Sequence, residues 1–131
     1  MSLGRGTDKP FQLYGSPDFD KGLPYSFTPK SVEGAKNPPQ LNQLCYGYDL
    51  SQLSDDSLRR QQFTLKYLLN AYALTKDKSK FFNSFFSKLA GGKLLQQQIE
   101  QGLSEKAIRK SWDPALKAFK QTRKKYLLYQ E

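Results

Sequence analysis

The stretch Leu44-Cys45-Tyr46-Gly47-Tyr48-Asp49-Leu50 alternates large apolar residues with small or polar ones. Successive side chains of a β-strand point to opposite faces, so this period of two predicts a strand with one buried face. Upstream of it, short aromatic runs at Phe11–Tyr14 and Tyr25–Thr28 predict two more strands. Clusters of turn-forming residues at Gly15–Asp18 and Gly34–Pro39 supply connections between the strands.

Downstream of the strands, the apolar spacing changes to three and four residues. This spacing predicts a helix over about 56–75, with Ser54 or Asp56 as its N-cap. The other predicted helices cover Phe81–Leu89, about 93–101, the residues after Ser104, and a kink or restart at Asp113-Pro114. The predicted fold class is therefore α+β, with a small, mainly antiparallel sheet in the N-terminal half packed by about four helices in the C-terminal half.

Length and composition limit what the chain can be. Its 131 residues, 37% of them hydrophobic, suffice for one domain. The chain has one cysteine, Cys45, which excludes an intrachain disulfide. It has no histidine, so the most common metal ligand and general base is missing. No apolar run approaches the roughly 20 residues of a membrane-spanning helix. The net charge of +9 favours an anionic partner, such as nucleic acid, anionic lipid or an acidic polymer.

The acidic residues do not form a catalytic arrangement. A glycosidase without histidine needs two convergent carboxylates, or carboxylates gathered around a metal. The twelve Asp and Glu residues are scattered along the chain, and the Gly4-x-Gly6 pair lacks the Lys-Ser/Thr ending of a phosphate-binding loop. The residues themselves therefore predict no catalytic residue, no metal site and no cofactor in this chain.

The segment Lys106–Lys125 is strongly basic, with eight Lys or Arg residues against one aspartate. This charge leaves open a freestanding module that binds nucleic acid or an anionic cell-wall polymer. No nucleic-acid-binding motif accompanies the charges, however, and the apolar residues between them are predicted to follow a core-facing side of a helix. Those residues are Trp112, Leu116, Phe119 and Tyr126. A solvated basic surface is the favoured interpretation.

The first residues have the composition of a junction. Gly4-Arg5-Gly6-Thr7 places an arginine between two glycines, and Pro10-Phe11 then favours an extended path. Such a loop normally joins two segments, which predicts that the chain is part of a larger protein. In the Gly34–Pro39 loop two consecutive prolines restrict the backbone, so Lys36 and Asn37 are held in place.

Several motifs resemble those of one known family. They are Gly4-Arg5-Gly6-Thr7, Pro10-Phe11, Phe27-Thr28-Pro29, Cys45-Tyr46-Gly47, Ile99-Glu100-Gln101-Gly102, Ser111-Trp112, Phe119, Arg123 and Lys125-Tyr126-Leu127-Leu128-Tyr129. In this order, and over nearly the whole chain, they resemble the C-terminal domain of the NamZ-like exo-β-N-acetylmuramidases. The resemblance implies a bacterial hydrolase of cell-wall recycling, a glycosidase that removes terminal N-acetylmuramic acid from peptidoglycan fragments in the periplasm or after secretion. It also implies a larger N-terminal Rossmann-like domain that holds the catalytic carboxylates, with the substrate groove between the two domains.

The chain departs from the family pattern at three places. Gly15-Ser16-Pro17-Asp18 stands where many members read Gly-Ala-Pro-Trp, the connection onward to Leu23-Pro24 is short, and Phe86-Ser87-Lys88-Leu89 replaces the more usual Phe-Asp-x-Leu. The domain assignment that the resemblance implies is unaffected by these changes. Residues 1–7 are then the remnant of an interdomain junction, and residues 8–131 are a single accessory domain.

The substrate-binding residues implied by this assignment are Arg5, Thr7, Lys36 and Asn37. A guanidinium can grip the lactyl carboxylate that distinguishes muramic acid from glucosamine, which assigns Arg5 to that group. Lys36 and Asn37 supply polar contacts to the sugar hydroxyls or to the same carboxylate. The alternatives are that Arg5 only pins the interdomain hinge and that the second loop only packs.

Overall fold

The alternating stretch forms the central strand of the sheet. A computed structural model describes residues 1–129 of the chain. Strands β1 (Leu13–Ser16), β2 (Tyr25–Phe27) and β3 (Cys45–Asp49) pair antiparallel in the order β1-β3-β2. Within residues 1–129, six α-helices follow the sheet along the chain. The predicted α+β class, with strands in the N-terminal half and helices in the C-terminal half, is confirmed.

The chain divides into two units, the first from Met1 to Asn83 and the second from Ser84 onward. Besides the sheet, the first unit contains α1 (Asp55–Gln61), α2 (Lys66–Leu74) and a 3-10 turn at Lys78–Lys80. The second unit contains α3 (Phe86–Leu89), α4 (Leu94–Glu100), α5 (Glu105–Ser111), α6 (Asp113–Arg123) and a 3-10 turn at Lys124–Tyr126.

Both faces of β3 are covered, although the alternation predicts a single buried face. Cys45 and Gly47, which alternate with the two tyrosines, are buried. Cys45 packs in a cluster with Leu13 and Phe27, which β1 and β2 contribute. The expected exposed face is therefore wrong, because its residues in β3 are small and the two neighbouring strands supply apolar side chains that cover them.

Helix α2 covers the tyrosine face of the sheet. Tyr14 stacks on Tyr48 with the ring centroids 5.2 Å apart, and it meets Tyr67 of α2 edge-on at 6.0 Å. Asn70 of α2 donates its Nδ2–H to the Tyr14 hydroxyl at 2.8 Å, so this buried phenol has the polar partner that burial requires. Ala71 is buried in the same cluster. A small residue at that position lets the helix approach the aromatic layer closely.

The predicted helix over 56–75 is two helices. The predicted N-cap is confirmed, because the Ser54 side chain accepts a hydrogen bond from the backbone N–H of Ser57 at 3.3 Å. The helix α1 ends where Gln62 adopts a φ of 50°, in the left-handed region. The Thr64 Oγ1 then accepts from the backbone N–H of Lys66 at 3.1 Å. A threonine that satisfies a backbone donor in this way competes with helix continuation, which explains the break.

The predicted helix over Phe81–Leu89 is wrong in its first half. The Asp77 carboxylate accepts from the backbone N–H of Ser79 at 3.2 Å and caps the 3-10 turn at Lys78–Lys80, directly before the predicted start of the helix. Tyr72 contacts the rings of Phe81 and Phe82, with centroid distances of 5.2 and 5.5 Å. These two phenylalanines therefore pack against α2, and only Phe86–Leu89 is helical.

From residue 93 onward the predicted helix boundaries agree with the structure. Gly102 ends α4 with a φ of 74°, and the Ser104 side chain caps α5 by accepting from the backbone N–H of Ala107 at 3.3 Å. The helix restarts as α6 with Pro114 in its first turn. The fully buried apolar side chains described in this unit are Ile99 and Ile108.

The predicted core face of α6 is exposed. Leu116, Phe119 and Tyr126 retain 47%, 62% and 77% of their accessible surface. Their helical spacing does place them on one side, as the sequence indicates. Trp112, the fourth residue of the predicted face, is half-buried. The expected burial is therefore wrong for the other three.

Gly47 provides a test of the sheet. It lies opposite Gly15 in β1, and a Cβ at this position would overlap the Tyr14 carbonyl oxygen and stand 2.7 Å from the Cα of Gly15. We expect Gly47→Ala to lower the free energy of unfolding by more than about 2 kcal/mol, because backbone atoms of β1 would have to move. Urea denaturation followed by circular dichroism measures this loss.

Gly34→Ala is the matched control. A Cβ at Gly34 would meet no atom within 4 Å, and its φ is not in the left-handed region. Its free energy of unfolding is expected to stay within about 0.5 kcal/mol of wild type. Equal stabilities of the two variants would contradict the close strand approach.

Candidate functional site

The Gly4–Thr7 loop is a compact turn. Gly4 and Gly6 have φ angles of 78° and 81°, which favour glycine. The Thr7 hydroxyl donates to the Gly4 carbonyl at 2.7 Å and accepts from the backbone N–H of Lys9 at 3.1 Å. Just before the turn, the backbone of Ser2 exchanges two hydrogen bonds with Gly15 of β1. The loop is therefore ordered by its own side chains and joined to the sheet at its start.

Two residues after this loop, Lys9 forms an ion pair with Asp49 of β3. The Lys9 Nζ donates to the Asp49 Oδ2 at 2.7 Å, and the Asp49 Oδ1 accepts from the backbone N–H of Ser51 at 2.8 Å. The hydrogen bond from Lys9 is the main reason why the pKa of Asp49 falls to about 2, and the same bond raises the pKa of Lys9. The Asp49 side chain is 12% exposed, so the pair is shielded more than an ordinary surface ion pair.

The second predicted loop touches the first at Gly6. The backbone N–H of Lys30 donates to the Gly6 carbonyl at 2.8 Å. A side chain at Gly6 would overlap the Lys30 carbonyl oxygen and approach the Pro38 Cγ to 2.7 Å. Pro38 is buried at this contact, whereas Lys36 and Asn37 before it are exposed. The Val32 and Ala35 backbones exchange two hydrogen bonds, which close the turn that leads into the loop.

The structure thus brings all four predicted residues onto two adjoining loops. Arg5 and Thr7 flank Gly6, and Lys36 and Asn37 immediately precede Pro38 in the chain. Arg5, Lys36 and Asn37 are exposed, and within residues 1–129 their side chains make no hydrogen bond or ion pair. Thr7 differs because its hydroxyl is used twice inside its own loop. The arrangement presents one guanidinium, one ammonium and one amide, a donor set suited to a carboxylate and to sugar hydroxyls.

A separate depression of about 200 Å³ lies on the first unit. None of the four predicted residues lines it. Its lining residues are Met1, Ser16, Asp18, Thr75, Lys76, Asp77, Lys80 and Phe81. Two of its charges neutralise each other, since Lys80 Nζ lies 2.9 Å from the Asp77 Oδ2. The predicted Gly15–Asp18 turn begins only at Pro17, because Gly15 and Ser16 are part of β1. The sequence did not predict that this turn and the end of α2 lie side by side.

Cys45 is not available for nucleophilic chemistry. The side chain is fully buried, and burial raises the pKa of its thiol to about 11. A thiol with such a pKa is almost entirely protonated at neutral pH. Among residues 1–129, no group of three Cys, Asp or Glu side chains is arranged to hold a metal ion. No helix in that range is long and apolar enough to cross a membrane.

The chain is similar to proteins of one family. The family model described as exo-β-N-acetylmuramidase NamZ, C-terminal, matches residues 1–129. The peptidoglycan β-N-acetylmuramidase NamZ of Bacillus subtilis is 32% identical over 141 residues, an alignment that covers 98% of this chain and 34% of the relative. The crystal structure of a DUF1343 family protein from Bacteroides fragilis superposes with a TM-score of 0.90 at 47% identity, covering 99% of this chain and 36% of that one. The chain thus spans about a third of the length of either relative.

The Lys9–Asp49 pair predicts a defined pH dependence of stability. The pKa of Asp49 is lowered in the fold, so its contribution is present above about pH 4 and is lost as the pH falls towards 2. The pKa of Lys9 is raised, so its contribution is lost only at strongly alkaline pH. We expect Asp49→Asn to lower the urea midpoint at pH 6, and the gap from wild type to shrink as the pH falls from 4 to 2.

Asp56→Asn serves as the control for this measurement. The Asp56 carboxylate lies 3.9 Å from Arg60, and both side chains are largely exposed. Its loss is expected to shift the midpoint less than the loss of Asp49, because water screens exposed pairs. A gap between Asp49→Asn and wild type that does not change with pH would contradict the role of the pair.

Proposed function

The chain belongs to the NamZ family as a C-terminal domain of the exo-β-N-acetylmuramidase type, and from this we propose that it forms one wall of a groove that binds muramic acid at the end of a peptidoglycan fragment. The observation that carries the proposal is the contact of two polar loops at Gly6 and Pro38. This contact supports the proposal because one loop carries Arg5, the other carries Lys36 and Asn37, and all three side chains are exposed. The relatives' names supply the substrate class, because one of them is a peptidoglycan β-N-acetylmuramidase.

We assign Arg5 to the lactyl carboxylate. Muramic acid differs from glucosamine by this ether-linked carboxylate, and a guanidinium can donate to both of its oxygens at once. The two glycines beside Arg5 adopt left-handed conformations, which fixes the path of the backbone that carries it. The Thr7 hydroxyl holds the same turn through Gly4 and Lys9. In this proposal Arg5 contacts the sugar and Thr7 positions the loop.

Lys36 and Asn37 complete the wall. The Lys36 ammonium adds a second positive charge beside the first loop, which increases the attraction for an anionic sugar. The Asn37 amide can donate to and accept from sugar hydroxyls. Their loop is restricted by Pro38 and Pro39, so little conformational entropy is lost when a ligand binds.

The chemistry belongs to another domain in this proposal. Most glycosidases use two carboxyl groups, one on either side of the scissile bond, and neither residues 4–7 nor residues 34–39 contain an Asp or Glu. The matched relatives are about three times as long as the aligned region. We propose that a preceding Rossmann-like domain supplies the carboxylates and the opposite wall, and that the whole protein acts outside the cytoplasm, where peptidoglycan lies.

The proposal is tested in a protein extended upstream to the length of the relatives. We expect Arg5→Ala to lower kcat/KM for a chromogenic N-acetylmuramide by roughly 10- to 100-fold, the loss typical of a charged hydrogen bond. The corresponding N-acetylglucosaminide lacks the lactyl group, so its turnover should change little and the preference between the two sugars should narrow. Arg5→Lys keeps the positive charge but cannot donate to both carboxylate oxygens in the same planar geometry. Its kcat/KM for the muramide should lie between those of wild type and Arg5→Ala.

Arg59→Ala is the control, because Arg59 is an exposed arginine on α1 and lies outside the two loops. It should leave both rates unchanged. The 131-residue chain alone should hydrolyse neither sugar. Turnover by this chain alone, or an equal loss on both sugars in Arg5→Ala, would overturn the proposal.

The exposed basic side chains of α6 favour a second candidate function, the binding of a polyanion. A module that binds nucleic acid or an anionic cell-wall polymer would lose affinity steeply as salt rises from 50 to 200 mM, by about three orders of magnitude or more for six contacts. We expect DNA, RNA and teichoic-acid-like polyphosphate to show no such tight, salt-dependent binding. Tight binding with that steep slope would favour the alternative.

A further inference from the structure

The second unit leaves many large apolar side chains exposed. Its fully buried apolar side chains, within the described residues, are Ile99 and Ile108. Eight large apolar residues of the same unit are exposed: Phe85, Leu89, Leu94, Leu116, Phe119, Tyr126, Leu128 and Tyr129. Single exposed apolar residues are ordinary, but a concentration of them on one part of a chain marks a surface that another body covers.

Helix α6 arranges part of this set on one side. Leu116 and Phe119 are three residues apart, and Tyr126 follows seven residues after Phe119 in the adjoining 3-10 turn. At 100° per residue this spacing keeps the three side chains on one face, which we call the α6 apolar face. Gln121 and Lys117 lie on the opposite side by the same geometry, and both are exposed. Leu116, Phe119 and Tyr126 retain 47%, 62% and 77% of their accessible surface, so about half or more of each side chain on this face is open to solvent in the described residues.

We propose that the α6 apolar face docks against the polypeptide that precedes this domain in the longer members of the family. The proposal rests on the proposed function, which places a second domain beside this one. The matching family model is described as C-terminal, and the relatives continue for about twice the length of the aligned region outside it. In these relatives the rest of the polypeptide is tethered to this domain, and the centres of protein interfaces are more apolar than their rims.

The chemistry of the face favours a protein partner over nucleic acid. Leucine, phenylalanine and tyrosine stand at its centre, and aromatic side chains are enriched at the centres of protein interfaces. By the same geometry Lys117 lies on the opposite side of α6, whereas Arg123, seven residues after Leu116, lies on the same side as the apolar face. Arginine beside aromatic side chains is itself typical of protein interfaces. A basic amphipathic helix can also bind a lipid surface. The experiment below distinguishes lipid binding from docking to a protein domain.

Cysteine labelling tests the docking surface directly. The natural thiol of Cys45 is fully buried with a pKa raised to about 11, so it should react slowly and leave the signal to an introduced cysteine. Phe119→Cys places a thiol at the centre of the face, and Gln121→Cys places one on the opposite side of the same helix. Each variant is made in the 131-residue chain and in the protein extended upstream, and alkylation is followed by mass spectrometry.

We expect Phe119→Cys to react about tenfold or more slowly in the extended protein than in the 131-residue chain, because the docked domain must open before the reagent reaches it. Gln121→Cys should react at the same rate in both proteins. Equal rates for Phe119→Cys in the two proteins would overturn the docking surface. Protection of Phe119→Cys in the short chain by phosphatidylglycerol vesicles, without protection in the extended protein, would overturn it in favour of a lipid surface.

The same experiment distinguishes a failure of the docking surface from a failure of the proposed function. Muramide hydrolysis by the extended protein carrying Gln121→Cys is measured on the same samples. An active extended protein with an unprotected Phe119→Cys would leave the function standing and remove this docking surface. An extended protein that shows protection but no hydrolysis of muramides would support the surface and remove the function. Because Phe119 is exposed in the 131-residue chain, its replacement there should leave the unfolding midpoint unchanged, which checks that the variant is folded.

Discussion

Strands β1 and β3 lie so close at the Gly15–Gly47 pair that neither position has room for a Cβ. The first candidate loop is attached to these two strands at both ends. Ser2 pairs with Gly15 on the outer side of β1, which places the start of the first loop. The end of the same loop is held by Lys9 on Asp49, the last residue of β3. A glycine pair within the sheet therefore sets the frame in which Arg5 is presented to solvent.

The two loops are joined by contacts of the backbone and not by their functional side chains. Gly6 accepts from Lys30 and leaves no space between its Cα and Pro38, so the loops meet without using Arg5, Lys36 or Asn37. Side chains without internal hydrogen bonds are suited to binding, because donors that already have a partner must break that hydrogen bond before they contact a ligand. It also separates Thr7 from the other three predicted residues. A hydroxyl with both a donor and an acceptor partner inside its own turn is better suited to shaping the loop than to contacting a sugar.

The sequence predicted the elements wherever the deciding interactions are local. The Ser54 and Ser104 caps and the restart at Pro114 depend on neighbouring residues and were found in place. The break at Gln62 was missed, because helix periodicity continues through it and only the threonine two residues later reveals the competing hydrogen bond. The four candidate site residues could be named from motifs. The meeting of their two loops depends on the contact of Gly6 with Pro38, two residues that are 32 positions apart in the sequence. No local pattern encodes such a pairing.

The exposed α6 face shows how a correct pattern can lead to a wrong expectation. Periodicity reports that a side of a helix is apolar, but it does not report which body covers that side. Within the described residues of the second unit the fully buried apolar side chains are Ile99 and Ile108, whereas Leu116, Phe119 and Tyr126 are exposed. Burial of the α6 apolar face by a further domain would remove this apolar surface from water and so stabilise the unit. The periodicity that failed to predict the core would then describe an interface.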